Sequence, residues 1–241
     1  MLGNYYCKCI KNMFFNKYNM NNILPFYNDD KDIFEIGVDE AGRGPLFGRV
    51  YTAAVILPKE GFDYSRMKDS KRFHSEKKIQ EEESYIKENA IAWNVSYNDE
   101  KRIDSINILQ ATIESMHNSI KNVTENIGIE NNFFIIVDGN YFQEYTYFHD
   151  ETLDSIDHTT VKGGDDKYAS IAAASILAKC ARDRYIKELC ELHPELNNRY
   201  NICSNKGYGA KIHINGIKQY GISQFHRLSY KTCHGMSLNP V

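Results

Sequence analysis

The chain has 241 residues, 42% of them hydrophobic and 25% charged, with a formal net charge of −3. That length and balance are ordinary for a soluble globular protein and allow one substantial domain with a small appendage. The sequence argues against a membrane-spanning helix, since no apolar run approaches the roughly 18 residues a span requires, and against a structural zinc site, since the six cysteines form no C-x-x-C pair.

Residues 1–30 differ in composition from the rest. They are rich in Asn, Tyr, Lys and Phe, carry Lys8, Lys11 and Lys17, and hold no acid before Asp29. A disordered extension is expected. An organelle-targeting presequence is the alternative, opposed by the absence of Arg and the scarcity of Ser and Ala. The cysteine usage fits a reducing compartment, and a cytoplasmic location is expected.

Residues 33–38 alternate partly and lead into Asp39, which predicts a first strand. The run VYTAAVIL at 50–57, stopped by Pro58, predicts a second. Between them Gly42, Arg43, Gly44, Pro45 and Gly48 form a loop whose backbone is free to adopt glycine geometries. Its G-x-G-x-x-x-G spacing, interrupted by Pro45, does not match a dinucleotide-binding loop. Bare backbone N–H groups meeting a nucleic-acid oxygen, with Arg43 beside them for phosphate, fit these residues; a simple tight turn fits them too. The Glu/Lys-rich residues 75–89 predict a helix and residues 91–97 a third strand. Apolar Ile106, Leu109, Ile113, Met116 and Ile120 predict an amphipathic helix over 103–120. The apolar run FFIIV at 133–137 reads as a central strand ending at Asp138, although Asp138-Gly139 is also a common turn dipeptide.

Helical period returns over 168–193. Ala172, Ala173, Ala174 and Ser175 would let that helix lie close to a sheet, Cys180 and Cys190 would be core thiols, and Asp165 or Asp166 could cap its start. His149, His158 and His193 lack a metal-ligand spacing and read as surface residues. From residue 199 onward there are Arg199, Lys206, Lys211, Lys218, Arg227 and Lys231 and no acid, interleaved with Tyr200, Tyr208, Tyr220, Phe225 and Tyr230. Such a tail suits a phosphate backbone with sugars or bases to stack on, or else a solvated basic helix over core aromatics. Strands first, then alternation, then helices argue for a mixed α/β domain with a helical C-terminal part.

Chemistry concentrates in four carboxylates: Asp39 and Glu40 at one predicted strand end, Asp138 at another, and Asp165 ahead of a helix. In a regular strand Asp39 and Glu40 point to opposite faces, so both reach one site only if the chain turns at Glu40. Four acids gathered in one pocket repel each other unless cations enter, and an all-oxygen site suits Mg²⁺ or Mn²⁺. Paired divalent ions between carboxylates are a means of hydrolysing phosphodiesters. A metal-dependent nuclease is the leading reading, with a metal-dependent phosphatase as the competing one.

The segments GVDEAGRGPLFG (37–48), KDSK (68–71), INILQAT (106–112), VDGN (137–140), VKGGD (161–165), SIAAASILAKCARD (170–183), NKGYG (205–209) and FHRLSY (225–230) together resemble the ribonuclease HII branch of the type 2 ribonuclease H family. The resemblance implies a ribonuclease H-like mixed sheet flanked by helices. It divides the chain into the extension at 1–30, a catalytic domain at 31–195 and a basic helical substrate-binding region at 196–241. The implied activity is cleavage of RNA in RNA–DNA hybrids and cutting 5′ to single ribonucleotides embedded in duplex DNA, leaving 3′-hydroxyl and 5′-phosphate ends. Asp39, Glu40, Asp138 and Asp165 match the family's metal-binding acids, for two Mg²⁺ or Mn²⁺ ions. Asp165 is preferred over Asp166 because it follows Gly and keeps the spacing to Ile171; Asp157 is a weaker competitor. Gly42, Arg43 and Gly44 match the loop that contacts the ribonucleotide 2′-hydroxyl and adjacent phosphates. Tyr208 matches a tyrosine that stacks on the next deoxyribose, and Lys71 a substrate-contacting lysine. Asn205 stands where many relatives have His. A monomer is expected; the alternatives are the catalytic subunit of a heterotrimer, or an inactive hybrid-binding relative, against which all four acids being present argues.

Overall fold

The first strand is buried on both faces, from Glu35 through Asp39. The computed structural model describes residues 23–241. Its strands are β1 (Phe34–Ala41), β2 (Val50–Ile56), β3 (Ala92–Asn98), β4 (Phe133–Asp138), β5 (Thr146–His149), β6 (Thr152–Ser155) and β7 (His158–Val161). The helices are α1 (Glu76–Asn89), α2 (Glu100–Ile127), α3 (Ala169–Leu192), α4 (Pro194–Tyr200), α5 (Ile202–Asn205) and α6 (Lys211–Tyr220). One sheet of five strands has the order β3-β2-β1-β4-β7, and β5-β6 is a separate hairpin. β1 pairs antiparallel with β2 and parallel with β4, and β7 continues the parallel half.

Ile36 and Val38 of β1 face α2, together with Ala54, Ile56, Ile135, Val137, Met116, Ile120 and Val123. The other face carries Ala53 and Val55, covered by Ile79 and Ile86 of α1 and by Ala172, Ala173 and Ile176 of α3. This sandwich of one sheet between two helical layers buries both faces of β2, every residue of which is buried. α3 approaches β1 closely: a Cβ on Gly37 would stand 2.2 Å from the carbonyl carbon of Ser170. Alanine on α3 and glycine on β1 are what make that approach possible. Cys180 and Cys190 are buried on α3, as predicted.

The C-terminal residues do not form a separate body. Leu46 and Phe47 of the loop after β1 share a cluster with Ile186, Leu189, Leu196, Tyr200, Ile202, Ile217 and Cys233. The basic, aromatic character of the tail is therefore divided: Lys211, Lys218, Lys231 and Tyr220 stay exposed, while part of it turns inward. Arg227 and Tyr200 are wholly buried, whereas Tyr208 is half exposed. His213 and His226 are buried as well, while His149, His158 and His193, read as surface residues, are half-buried.

Several local expectations change. β1 runs on through Glu40, paired with Thr52, to Ala41, paired with Tyr51; the chain turns at Gly42, with φ +96°, and not at Glu40. The predicted helix at 103–120 extends over Glu100–Ile127 but is broken at Asn107, whose φ is 67°. Asn107 Oδ1 accepts the Gln110 N–H (3.1 Å) and so starts the second segment. Neither Asp165 nor Asp166 caps α3, whose N-cap is Tyr168 without a side-chain bond. Part of the extension is packed: the Leu24 N–H donates to Lys167 O (2.7 Å), and Tyr27 and Asn28 N–H groups donate to Glu35 Oε2. The remaining extension, residues 1–22, and with it the targeting reading, lies outside the described residues. β5, β6 and β7 were not predicted.

Candidate active site

The parallel pairing of β1 and β4 sets the site. The last registered pair is Val38 with Val137, so the next residue on each strand is an aspartate, Asp39 and Asp138. Equivalent positions on parallel neighbours lie about 4.8 Å apart and share a face. Both acids therefore stand side by side at the carboxyl end of the sheet, where open α/β folds place their sites. Asp157, exposed, precedes β7 at the opposite end from Asp138's neighbour Val161.

The turn before α3 brings in the fourth acid. Gly163 adopts a left-handed conformation (φ 63°), and the following Gly164 N–H donates to Asp138 Oδ1 (2.6 Å). Asp165 is consequently buried beside Asp138, while Asp166 turns outward to pair with Arg72 (3.0 Å). Asp39, Glu40 and Asp138 line a cavity of about 310 Å³ together with Gly42, Arg43, Gly44, Lys71 and Tyr208. Lys71 Nζ lies 3.5 Å from Asp165 Oδ2. All nine residues singled out from the sequence thus meet at one end of the molecule.

Burial, reinforced by the charges of Glu40 and Asp138, raises the Asp39 carboxyl well above its ordinary value; bonds from Ser175 and the Glu40 N–H oppose it. Burial raises Glu40 too, against the pull of Arg43, which sits 3.3 Å away. Asp165 is raised by burial and by Asp138, with Lys71 opposing. Such an acidic cluster binds cations favourably. Among the described residues no three His, Cys, Asp or Glu side chains stand close enough to hold one ion as they are. The donor set itself, carboxylate oxygens throughout, fits Mg²⁺ or Mn²⁺.

Two arginines hold positions that the sequence reading did not assign them, Arg227 having been read only as one cation of the tail. Arg182 of α3 is 3% exposed and lines the cavity; its Nη2 donates to Lys206 O (2.8 Å), and its Nε has no partner among the described residues. A Cβ on Gly42 would stand 2.3 Å from that Nε, so only glycine fits there. Arg227 is buried beneath the glycine loop, with bonds to four of its carbonyls. A signal for Arg182 was available: it falls four residues after Ala178, inside the apolar stripe of α3, where an unpaired charge is costly. Asn205 shapes the loop before Tyr208. Its amide donates to Tyr200 O (2.7 Å) and accepts the Gly207 N–H (2.8 Å).

A mixed sheet flanked by helices is shared with solved ribonucleases H. A crystal structure of ribonuclease H2 from Pyrococcus horikoshii OT3 superposes with a TM-score of 0.61 at 22% identity, covering 83% of this chain and 94% of that one. One described as Bst-RNase HIII in complex with Mn²⁺ superposes with a TM-score of 0.64 at 16% identity, covering 84% and 68%. Those likenesses define the fold class. The Ribonuclease HII family model matches residues 36–233. Ribonuclease HII of Bacteroides thetaiotaomicron is 40% identical over 217 residues, 90% of this chain and 98% of that protein, and Ribonuclease HII of Parabacteroides distasonis is 42% identical over 208 residues, covering 86% and 94%. The chain belongs to the ribonuclease HII family. It is an endoribonuclease, a hydrolase of the ribonuclease H kind. No helix among the described residues is long and apolar enough to cross a membrane.

Proposed function

We propose that this endonuclease cuts the RNA strand of RNA–DNA hybrids and cleaves 5′ to single ribonucleotides embedded in duplex DNA, with two divalent ions, Mg²⁺ or Mn²⁺, held by Asp39, Glu40, Asp138 and Asp165. The observation that carries this reading is the meeting of Asp39, Glu40 and Asp138 with the Gly42–Gly44 loop and Tyr208 around one open cavity, where Lys71 of the lining pairs with Asp165. Divalent ions bound there supply activation of the attacking water and offset charge on the departing 3′-oxygen. The protein's own residues supply placement. Glu40 and Arg43 tie the loop to the acids, Lys71 balances Asp165, and the half-exposed Tyr208 offers its ring to a sugar. The 2′-hydroxyl is the group by which RNA is told from DNA, and backbone groups of the loop lie within the same cavity to read it. The protein is proposed to act as a monomer in the cytoplasm.

The test is cleavage of duplex DNA holding one ribonucleotide, with Mg²⁺ and Mn²⁺ compared. The parent is expected to cut 5′ to the ribonucleotide. Asp39→Asn is expected to lose cleavage while retaining duplex binding; turnover by Asp39→Asn at the parental rate would remove Asp39 from the ion-binding set.

A further inference from the structure

We infer that Arg227 is a positioning residue for the ribonucleotide-sensing loop: its buried guanidinium holds the loop's carbonyls on one side and thereby aims the Arg43 and Gly44 N–H groups at the cavity. This rests on the proposed reading of that loop as the ribonucleotide sensor.

Arg227 is 0% exposed. Its Nη2 donates to Gly42 O (2.6 Å), its Nη1 to Arg43 O (3.0 Å), Pro45 O (2.8 Å) and Tyr230 Oη (2.9 Å), and its Nε to Gly48 O (2.8 Å). Tyr230 OH also donates to Arg43 O. A planar guanidinium presents five N–H donors in a fixed fork, and here its partners are carbonyls and a phenol, none a carboxylate. A buried cation with no counter-ion among its bonded partners is costly as a mere stabiliser.

The consequence follows from peptide geometry. No peptide bond among the described residues is cis, and in a trans peptide the C=O of one residue points opposite to the N–H of the next. With Gly42 O and Arg43 O turned to Arg227, the N–H groups of Arg43 and Gly44 point away from it, on the side where Gly42, Arg43 and Gly44 line the cavity. Neither N–H meets an acceptor among the described residues. By contrast the Leu46 N–H, opposite the third clamped carbonyl, donates to Gly207 O (2.8 Å) and so anchors the loop to the Tyr208 segment. A positive charge behind the carbonyls also polarises both peptides, leaving the free N–H ends better donors toward an oxygen.

The neighbouring residue holds the other half of the site. The Ser223 N–H donates to His226 Nδ1 (3.0 Å), which leaves the His226 proton on Nε2, facing His213 Nε2 at 3.0 Å. His213 then carries its proton on Nδ1 and donates to Tyr208 O (2.9 Å). The dipeptide His226-Arg227 thus joins the glycine loop to the tyrosine.

Arg227→Lys and Tyr230→Phe test this. Lysine keeps the charge but cannot reproduce the fork, and phenylalanine removes only one hydroxyl. Both are expected to lower kcat/KM on duplex DNA with one ribonucleotide by roughly tenfold to a hundredfold, as small misplacements of reacting groups do, with the Kd for all-DNA duplex unchanged. Folded variants with parental kcat/KM would overturn the inference, as would a loss confined to thermal stability. If Arg227→Lys fails to fold, Tyr230→Phe decides. Should the parent cut no embedded ribonucleotide, the proposed function fails by itself, and amide resonances of Arg43 and Gly44 in Tyr230→Phe decide the clamp: shifted resonances support it and unchanged ones refute it.

Discussion

Asp165 and Asp166 are adjacent in the chain and face different partners, because a left-handed Gly163 and the bond from Gly164 N–H to Asp138 rotate one inward and the other toward Arg72. Asp165→Asn is therefore expected to cost cleavage at least about a hundredfold, and Asp166→Asn little, in a single-ribonucleotide assay at saturating Mn²⁺. Comparable losses in both would show that the turn does not select between them. Tyr208 differs from the other aromatics of the tail in being exposed at the cavity, with Arg182 5.8 Å from its ring centroid. Tyr208→Ala is expected to lower cleavage at a lone ribonucleotide by roughly tenfold or more, and to lower it less on long hybrids, where neighbouring contacts remain. Kinetics on the two substrates in parallel check that ordering.

Among the elements, the contact between β1 and α3 governs whether the acids can be held at all. Gly37 has no space for a side chain, its nearest obstacle being backbone rather than a movable side chain. Gly37→Ala must push α3 off the sheet and is expected to destabilise the fold by about 1–3 kcal/mol or more, read as a fall in Tm. An unchanged Tm would mean that α3 yields without cost. The same contact explains the alanine run: Ala172, Ala173 and Ala174 are buried where a longer side chain would hold the helix away from the sheet. β7 completes the parallel half by pairing with β4, yet HTTV is too short and too polar to announce a strand by itself.

At the scale of the whole molecule, the C-terminal region folds back over the loop after β1 and contributes a buried polar network to a shared core. Burial pushes the His226 imidazole down to about 3, with His213 acting in the same direction. The ordinary value is 6.5, so between these values the unfolded chain binds a proton that the folded one does not. The stability this residue contributes is complete above about pH 6.5 and is lost as pH falls toward 3. Carboxyls raised by burial, such as Asp39 and Glu35, act in the opposite sense, so the informative quantity is a difference. The decline in Tm from about pH 7 to about pH 5 is expected to be shallower in His226→Gln than in the parent, and equal slopes would exclude a buried neutral His226.

Much of this was legible in the sequence because it is written in local chemistry. The apolar runs of β1, β2 and β4, the periodicity of α2 and α3, and the acids at strand and helix edges all follow from neighbours in the chain, and the assembled motifs carried the family. What could not be read locally depends on residues far apart. Whether Glu40 lies in a strand is decided by its pairing with Thr52, and which of Asp165 and Asp166 turns inward by a bond to Asp138. That Arg227 is no surface cation follows from its meeting carbonyls some 180 residues earlier. Side-chain type and spacing determine which segments can be strands, helices and acid-bearing edges. Burial and hydrogen-bond partners, which decide whether a charge is a ligand, a clamp or a solvated tail, exist only once the chain has closed on itself.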